Sequence, residues 1–195
     1  LSKQTSAHLS VDTLLDTLSE TSLMESSTDS RSLPTVGVVI PARNEADVLP
    51  ITLRSLLAQD YPCIRSILLV DDHSTDGTAQ VAHQVAIGQG NVGALTVLQA
   101  KPLPPGWTGK LWALEQGTQS LLTGEQPPDY LLLTDADIEH DGATLRHLVM
   151  KAETEGLELA SVMVKLRCES FWETLLIPAF VFFFAKLYPF RWVNN

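Results

Sequence analysis

The sequence predicts an α/β domain, a mostly parallel sheet flanked by helices. Three observations carry this. Short apolar runs alternate with segments of helical periodicity. The segments between successive runs are too long to be hairpins, so neighbouring strands must run parallel. Polar residues gather immediately after three of the runs, where parallel sheets bind their ligands.

The elements follow in order. Leu1 to Ser32 is rich in Ser and Thr, with Asp12, Asp16, Glu20, Glu25 and Asp29 set against Lys3 and Arg31; residues 1–34 are expected to be a flexible leader with a weak helix around Val11 to Leu18. Val36 to Ile40, "VGVVI", is the first strand, apolar enough to be covered on both faces. "PARNEADVLPITLRSLLAQDYP" then sets Leu49, Leu53, Leu56 and Leu57 at helical spacing, with Pro50 confined to the first turn and Tyr61-Pro62 as the stop. Ser66 to Val70 is the second strand, and "STDGT" turns the chain into a helix over Ala79 to Ile87. Leu95 to Leu98 is a weaker strand, "KPLPPGWTG" an extended loop, and Lys110 to Leu122 an amphipathic helix. Tyr130 to Leu133 is a further buried strand. A helix over Ala143 to Glu153, a strand over Ala160 to Leu166 and an aromatic segment from Phe171 to Phe190 complete the chain.

Composition narrows the function. At 195 residues and 45% hydrophobic content a substantial core is expected. The formal net charge of −10 argues against a nucleic-acid partner, which would demand a basic surface. Cys63 and Cys168 form no metal or disulfide pattern and read as ordinary thiols in a reducing compartment. Leu175 to Ala185, "LLIPAFVFFFA", falls short of the about 20 apolar residues a membrane span requires, but suits a membrane surface.

The residues able to do chemistry lie after the strands. Asp135 and Asp137 form a D-x-D at a strand end. They could offer oxygens to Mg2+ or Mn2+, one directly and one through water, or belong to a plain turn with Asp141 capping the next helix. Asp71 and Asp72 could accept hydrogen bonds from a nucleobase or ribose, or open an Asx-type turn, and Asp76 reads as a helix cap. Arg43 and Glu45 could line a pocket or pair with each other. Lys110 falls at a helix N-terminus, where a cation and free backbone N–H groups together favour phosphate; Trp107 and Trp112 could flank it or join the core. His73, His83, His140 and His147 lack metal-ligand spacing and receive no role.

"VVIPARNEADVLPITLRSLLAQDYP", "ILLVDDHSTDGT" and "LLLTDADI", in that order, resemble the family 2 glycosyltransferases, over Thr35 to about Arg167. The resemblance implies the GT-A fold, Rossmann-like and here incomplete at the C-terminus. "KPLPPGWTGKLWAL" and "FFFAKLYPFRWVNN" look most like the hopene-associated bacterial members. Carried over by position, it implies that Pro41, Ala42, Arg43 and Glu45 line a nucleotide pocket, and that Asp72 contacts the base, with Asp71 as fallback. Asp135 and Asp137 would hold the metal that bridges the donor diphosphate, Asp137 directly, and Lys110 would stabilise nucleotide or phosphate. It further implies a nucleotide-sugar donor, with UDP favoured, a lipid or hopanoid-type acceptor, and a location at the cytoplasmic face of the bacterial plasma membrane. Residues 35–167 would be the donor-binding domain, and residues 168–195 the start of an acceptor or membrane-associated region.

The departures matter as well. The family's later acidic pair, which supplies the base for inversion, is missing, and Pro189 to Trp192 has the Arg-Trp of the family's Q-x-x-R-W helix without its Gln. The base is therefore expected beyond Asn195, and a donor-binding fragment without transfer activity stands as the alternative. A phosphoacceptor receiver domain, suggested by "ILLVDDH", fails because a whole strand and helix precede the acidic pair and no Lys-ending strand follows Asp135.

Overall fold

The computed structural model describes residues 33–162, 164–165 and 170–188. The weak helix expected around Val11 to Leu18, most of the expected leader, Cys168, and the Phe190 and Arg191 end of the aromatic segment lie outside the described residues.

The elements in chain order are β1 (Val36–Ala42), α1 (Leu49–Leu57), β2 (Ile64–Asp71), α2 (Thr78–Gly88), β3 (Leu95–Gln99), α3 (Gly109–Leu122), β4 (Tyr130–Leu133), α4 (Thr144–Glu155) and α5 (Phe171–Leu187). Ser32–Ser161 form one compact unit, and α5 lies in a second. The strands make a four-stranded sheet in the order β3-β2-β1-β4, with every pairing parallel. This is the architecture that the alternation of strand and helix signals predicts.

The side-chain alternation of β1 sorts the core into two layers. Val38, Ile40 and Ala42 face Leu49, Leu53 and Leu56 of α1 and Ala82, Val85 and Ala86 of α2. Val39 points the other way, joining Leu68 and Val70 of β2 against Ala113 of α3. Val36, Tyr61, Leu145 and Val149 form a smaller cluster beneath α4. Because β1 is covered on both faces, all seven of its residues are buried. Two glycines set the approach of α3. A Cβ on Gly117 would fall 2.4 Å from Val39 Cγ1 and 2.9 Å from Val70 Cγ2, and one on Gly37 would fall 2.9 Å from Leu121 Cδ1.

Two expectations need correction. β4 is not a buried strand: Tyr130, Leu131 and Leu132 are half-buried and Leu133 is 53% exposed. Among the described strands it pairs on one side only, and a run of leucines carries no information about how many neighbours a strand has. The strand expected over Ala160 to Leu166 is not formed at the described residues of that stretch, 160–162 and 164–165, which are irregular.

In its own unit, α5 begins with a capping box: Glu173 N donates to Ser170 Oγ (3.2 Å) and Ser170 N to Glu173 Oε2 (2.8 Å). Phe171, Trp172, Leu175, Leu176, Phe180 and Phe183 are all well exposed, and the few polar residues of the helix, Glu173, Thr174 and Lys186, do not share a face. No helix of the described residues is long and apolar enough to cross a membrane.

Candidate active site

Sheet order decides where a ligand can sit. The chain builds β1, β2 and β3 outward in one direction, then returns to the other side of β1 for β4, so the order switches between β1 and β4. There the last pairing joins Val39 to Leu133, and β1 runs on to Ala42 after β4 has left the sheet. Thr134 N still donates to Val39 O (3.2 Å), and the chain then diverges.

A cleft of about 350 Å³ opens at this point, lined by Pro41, Ala42, Arg43, Glu45, Asp72, Gly109, Lys110, Ala113, Asp135, Ala136 and Asp137. Its volume is within the ~300–1,000 Å³ usual for small-molecule sites. Of the residues the sequence singles out, Pro41, Ala42, Arg43, Glu45, Asp72, Lys110, Asp135 and Asp137 meet here. Asp71 does not join them. It is 4% exposed, its Oδ1 accepts from Ser74 N (3.1 Å), and its carbonyl accepts from Ala100 N and Gln99 Nε2. As the last residue of β2 it points back into the turn, whereas Asp72 is free to face the cleft.

The loops after β1 and β2 are tied together. Asn44 and His73 both have positive φ, 56° and 58°, so each strand ends in a sharp left-handed step. Asn44 N donates to Ser74 Oγ (3.0 Å) and Thr75 N to Asn44 Oδ1 (2.8 Å). Asp76 works as a bracket: one oxygen accepts from the Thr78 hydroxyl (2.5 Å) and Thr78 N (3.0 Å) and the other from Ala46 N (3.0 Å), and these bonds, the Thr78 hydroxyl foremost, hold its carboxyl below the usual range. Arg43 does not pair with Glu45; its guanidinium lies 3.3 Å from Asp72 Oδ2. A Cβ on Gly109 would fall 2.6 Å from the same oxygen. Gly109, Ala113 and Ala136 are lining residues that the sequence reading does not single out; the Gly that starts a helix just before Lys110 is the one signal that could have shown the first.

The opposite wall is α3. Lys110, in its first turn, reaches across to Asp135 with Nζ 2.8 Å from Oδ1. Both side chains are about half exposed, so this ion pair contributes little to stability. Asp137 has no cation beside it among the described residues. The Glu45 carboxyl is raised, first by partial burial and then by the negative charges of Asp137, Asp76 and Asp135, while Lys110 partly opposes them. The cleft thus holds excess negative charge, which a cation would relieve. Hard carboxylate oxygens suit Mg2+ or Mn2+, and among the described residues no three His, Cys, Asp or Glu converge to form an all-protein cage. Trp107 and Trp112 are neither core nor cleft: they meet edge to face at 5.2 Å beside the 101–108 loop, and Trp112 Nε1 donates to Lys101 O.

The plain-turn elements are present too. Asp141 Oδ1 accepts from Ala143 N (3.0 Å) just before α4. His140 is half-buried, with Nε2 3.0 Å from Thr134 Oγ1, and burial pushes its imidazole below the ordinary value. A depressed histidine favours the neutral ring in the folded state. As pH falls below the unfolded value of about 6.5, the unfolded chain takes up a proton that the folded one resists, so stability is lost in that window. His140→Gln is expected to flatten the decline in melting temperature between about pH 6.5 and 5. Glu45 acts with opposite sign but in both proteins, so an unchanged difference between the two melting curves across this range would refute the assignment.

Comparison with known proteins bears on this site. The model of the family described as Glycosyl transferase family 2 matches residues 37–192. Glycosyltransferase AglE of Haloferax volcanii is 37% identical over 62 residues, 31% of this chain and 20% of that protein. Among solved structures, the mannosyltransferase PcManGT of Pyrobaculum calidifontis, in complex with GDP-Man and Mn2+, aligns with a TM-score of 0.51 and 27% identity over 62% of this chain and 33% of that one. TarS 1-349 of S. aureus, in complex with UDP, aligns with a TM-score of 0.46 and 25% identity over 62% of this chain and 32% of that one. The chain therefore spans about a third of the first two solved structures and a fifth of the curated relative.

Proposed function

The chain belongs to glycosyl transferase family 2 and has a GT-A-like fold, and from this we propose that it binds a nucleotide-diphosphate sugar and transfers the sugar, with inversion, to a lipid acceptor. One observation carries the reading. The Asp135–Asp137 pair, Lys110 and Asp72 converge on a single cleft at the topological switch point, from two separate strand ends and one helix start.

The residues divide the work along the donor. Asp72, held by Arg43 and backed by Gly109, accepts hydrogen bonds from the base or ribose. Asp135 and Asp137 hold Mg2+ or Mn2+ with Asp137 as the direct ligand, since Lys110 already lies against Asp135. When bound, the ion neutralises charge on the departing diphosphate. Lys110 occupies with one positive charge the ground that the cation needs; released from Asp135, it and the open N-terminus of α3 can hold phosphate oxygens. UDP is the favoured nucleotide, with GDP the competitor because the similar mannosyltransferase carries GDP-Man.

The acceptor side rests on α5. A helix apolar on all faces finds its energetic minimum inside protein or lipid, and Lys186 at its last turn, over the Phe182 ring at 5.7 Å, suits a headgroup boundary. This supports a hopanoid-type or other lipid acceptor, reached at the cytoplasmic face of a bacterial plasma membrane. In this reading residues 35–167 form the donor domain, and residues 168–195 begin the acceptor region.

The test is calorimetric titration of UDP and of GDP, each with Mn2+ and with EDTA. Binding of one nucleotide that requires the metal is the expected result. A folded protein that binds neither nucleotide under either condition would refute the donor site.

A further inference from the structure

The acidic pair is carried on a loop, yet the hydrogen bonds around it are those of a fixed element. Helix α1 directs Thr52 and Ser55 at the 134–145 segment, and Gln59, just past the helix end, extends the same polar stripe. The Thr52 hydroxyl donates to Ala136 O at 2.7 Å, and Thr52 is only 1% exposed. Ser55 Oγ donates to Thr52 O (2.8 Å) and accepts from His140 N (3.0 Å). Gln59 Nε2 donates to Asp141 O (2.7 Å), while its Oε1 accepts from Leu145 N (2.9 Å).

Ala136 is the residue between the two carboxylates. Its methyl group is 4% exposed and packs in the same cluster as Leu49, Leu53 and Leu56, so core and hydroxyl grip the same residue. With Ala136 fixed from the α1 side, Asp135 and Asp137 are held toward the cleft that both of them line. A Thr in the interior of a helix is a poor choice for helix propensity and, fully buried, a worse one for the core than Val. The hydroxyl makes sense through the bond it donates.

We propose that Thr52, with Ser55 and Gln59 behind it, is the positioning residue for the Asp135–Asp137 pair, setting its affinity for a divalent cation without touching the ligand. The inference rests on the donor-site reading above. It assigns to the buried face of α1 the role that outer-shell partners play at metal sites, where their loss weakens metal binding about 10–100-fold.

The measurement is the paramagnetic resonance signal of free Mn2+, titrated into the whole chain at saturating UDP or GDP, whichever binds. Thr52→Val replaces the hydroxyl with a methyl group of similar size, and Thr52→Ser keeps the hydroxyl. The expected result is a tenfold or greater loss of Mn2+ affinity in Thr52→Val, and affinity within about threefold of the parent in Thr52→Ser. Ser55→Ala, at a half-buried position, tests the same grip where folding is less at stake and is expected to weaken Mn2+ by about threefold or more. A lowered melting temperature with unchanged Mn2+ affinity in both Thr52→Val and Ser55→Ala would overturn the proposal, leaving a purely structural stripe. Asp137→Ala, titrated alongside, separates the two levels. If it abolishes Mn2+ binding while the α1 variants bind normally, the positioning role alone fails; if it too binds normally, the donor-site reading fails.

Discussion

Asp137→Ala is expected to lose metal-dependent nucleotide binding by at least about 100-fold and to keep its melting temperature. The first figure follows from position. Removing an ion's direct ligand must exceed the ~10–100-fold that removing an outer-shell partner costs. The second follows from exposure, because Asp137 is exposed at the surface of the cleft with no cation beside it among the described residues, and surface substitutions of this kind stay within about 0.5 kcal/mol. Removing one negative charge from a cleft that already raises Glu45 would, if anything, relieve repulsion. Asp141→Ala is the control: it lies on the same loop but serves the turn, through Ala143 N. The turn reading of the pair expects Asp141 to matter for stability and Asp137 to matter for nothing. The donor-site reading expects Asp137 to dominate binding. Calorimetric titration of the nucleotide with Mn2+ into the three proteins decides between them, and equal affinity in parent and Asp137→Ala would sink the metal role.

Gly117→Val is expected to cost about 3 kcal/mol or more of folding stability. Replacing Gly in a helix ordinarily gains stability, by up to about 1 kcal/mol for Ala and less for a β-branched residue. Here the gain is overwhelmed. A Cβ would lie 2.4 Å from Val39 Cγ1 and 2.9 Å from Val70 Cγ2, and both valines are fully buried in the central strands. Adding carbon to a packed core forces shifts worth about 1–3 kcal/mol or more, and here the helix has to yield because the sheet cannot. Since α3 also carries Lys110 and Gly109, the same displacement should weaken nucleotide binding in whatever fraction remains folded. Gly124→Ala serves as the control, where the nearest atoms are backbone oxygens at 3.5 and 3.6 Å. Urea denaturation of the three chains reads the difference directly; a Gly117→Val midpoint equal to that of the parent would show that α3 does not pack tightly against Val39 and Val70.

Much of the sheet and of the cleft at its edge was legible in the sequence, for a physical reason. β1 and β2 are covered on both faces, so they appear as unbroken apolar runs, and polar residues directly after such runs must lie at the sheet's carboxyl edge. That logic brings Arg43, Glu45, Asp72, Lys110, Asp135 and Asp137 to one cleft. It fails where the decisive quantity is not periodic. Asp71 and Asp72 are adjacent and chemically identical, and only the turn after β2 determines which one faces the cleft. Four residues of β4 look as apolar as a central strand, although Leu133 meets solvent. Thr52, Ser55 and Gln59 read as unremarkable helix positions, because their partners are carbonyls and amides more than 80 residues away, which no local pattern encodes.

The sheet order also has a consequence for the chain as it is synthesised. β1 pairs with β2 soon after both have emerged, but its other edge stays open until β4 arrives; the Thr35 and Asp129 that tie the two strands at their beginnings are 94 residues apart. At roughly 5–20 residues per second, the ribosome leaves that edge bare for about 5–20 s. During this interval β1, β2 and β3 can dock their helices while an apolar strand edge lies open to any neighbouring chain. The cleft, half of which arrives with β4, is closed only then, so a nascent chain acquires three strands of its sheet well before it acquires the acidic pair.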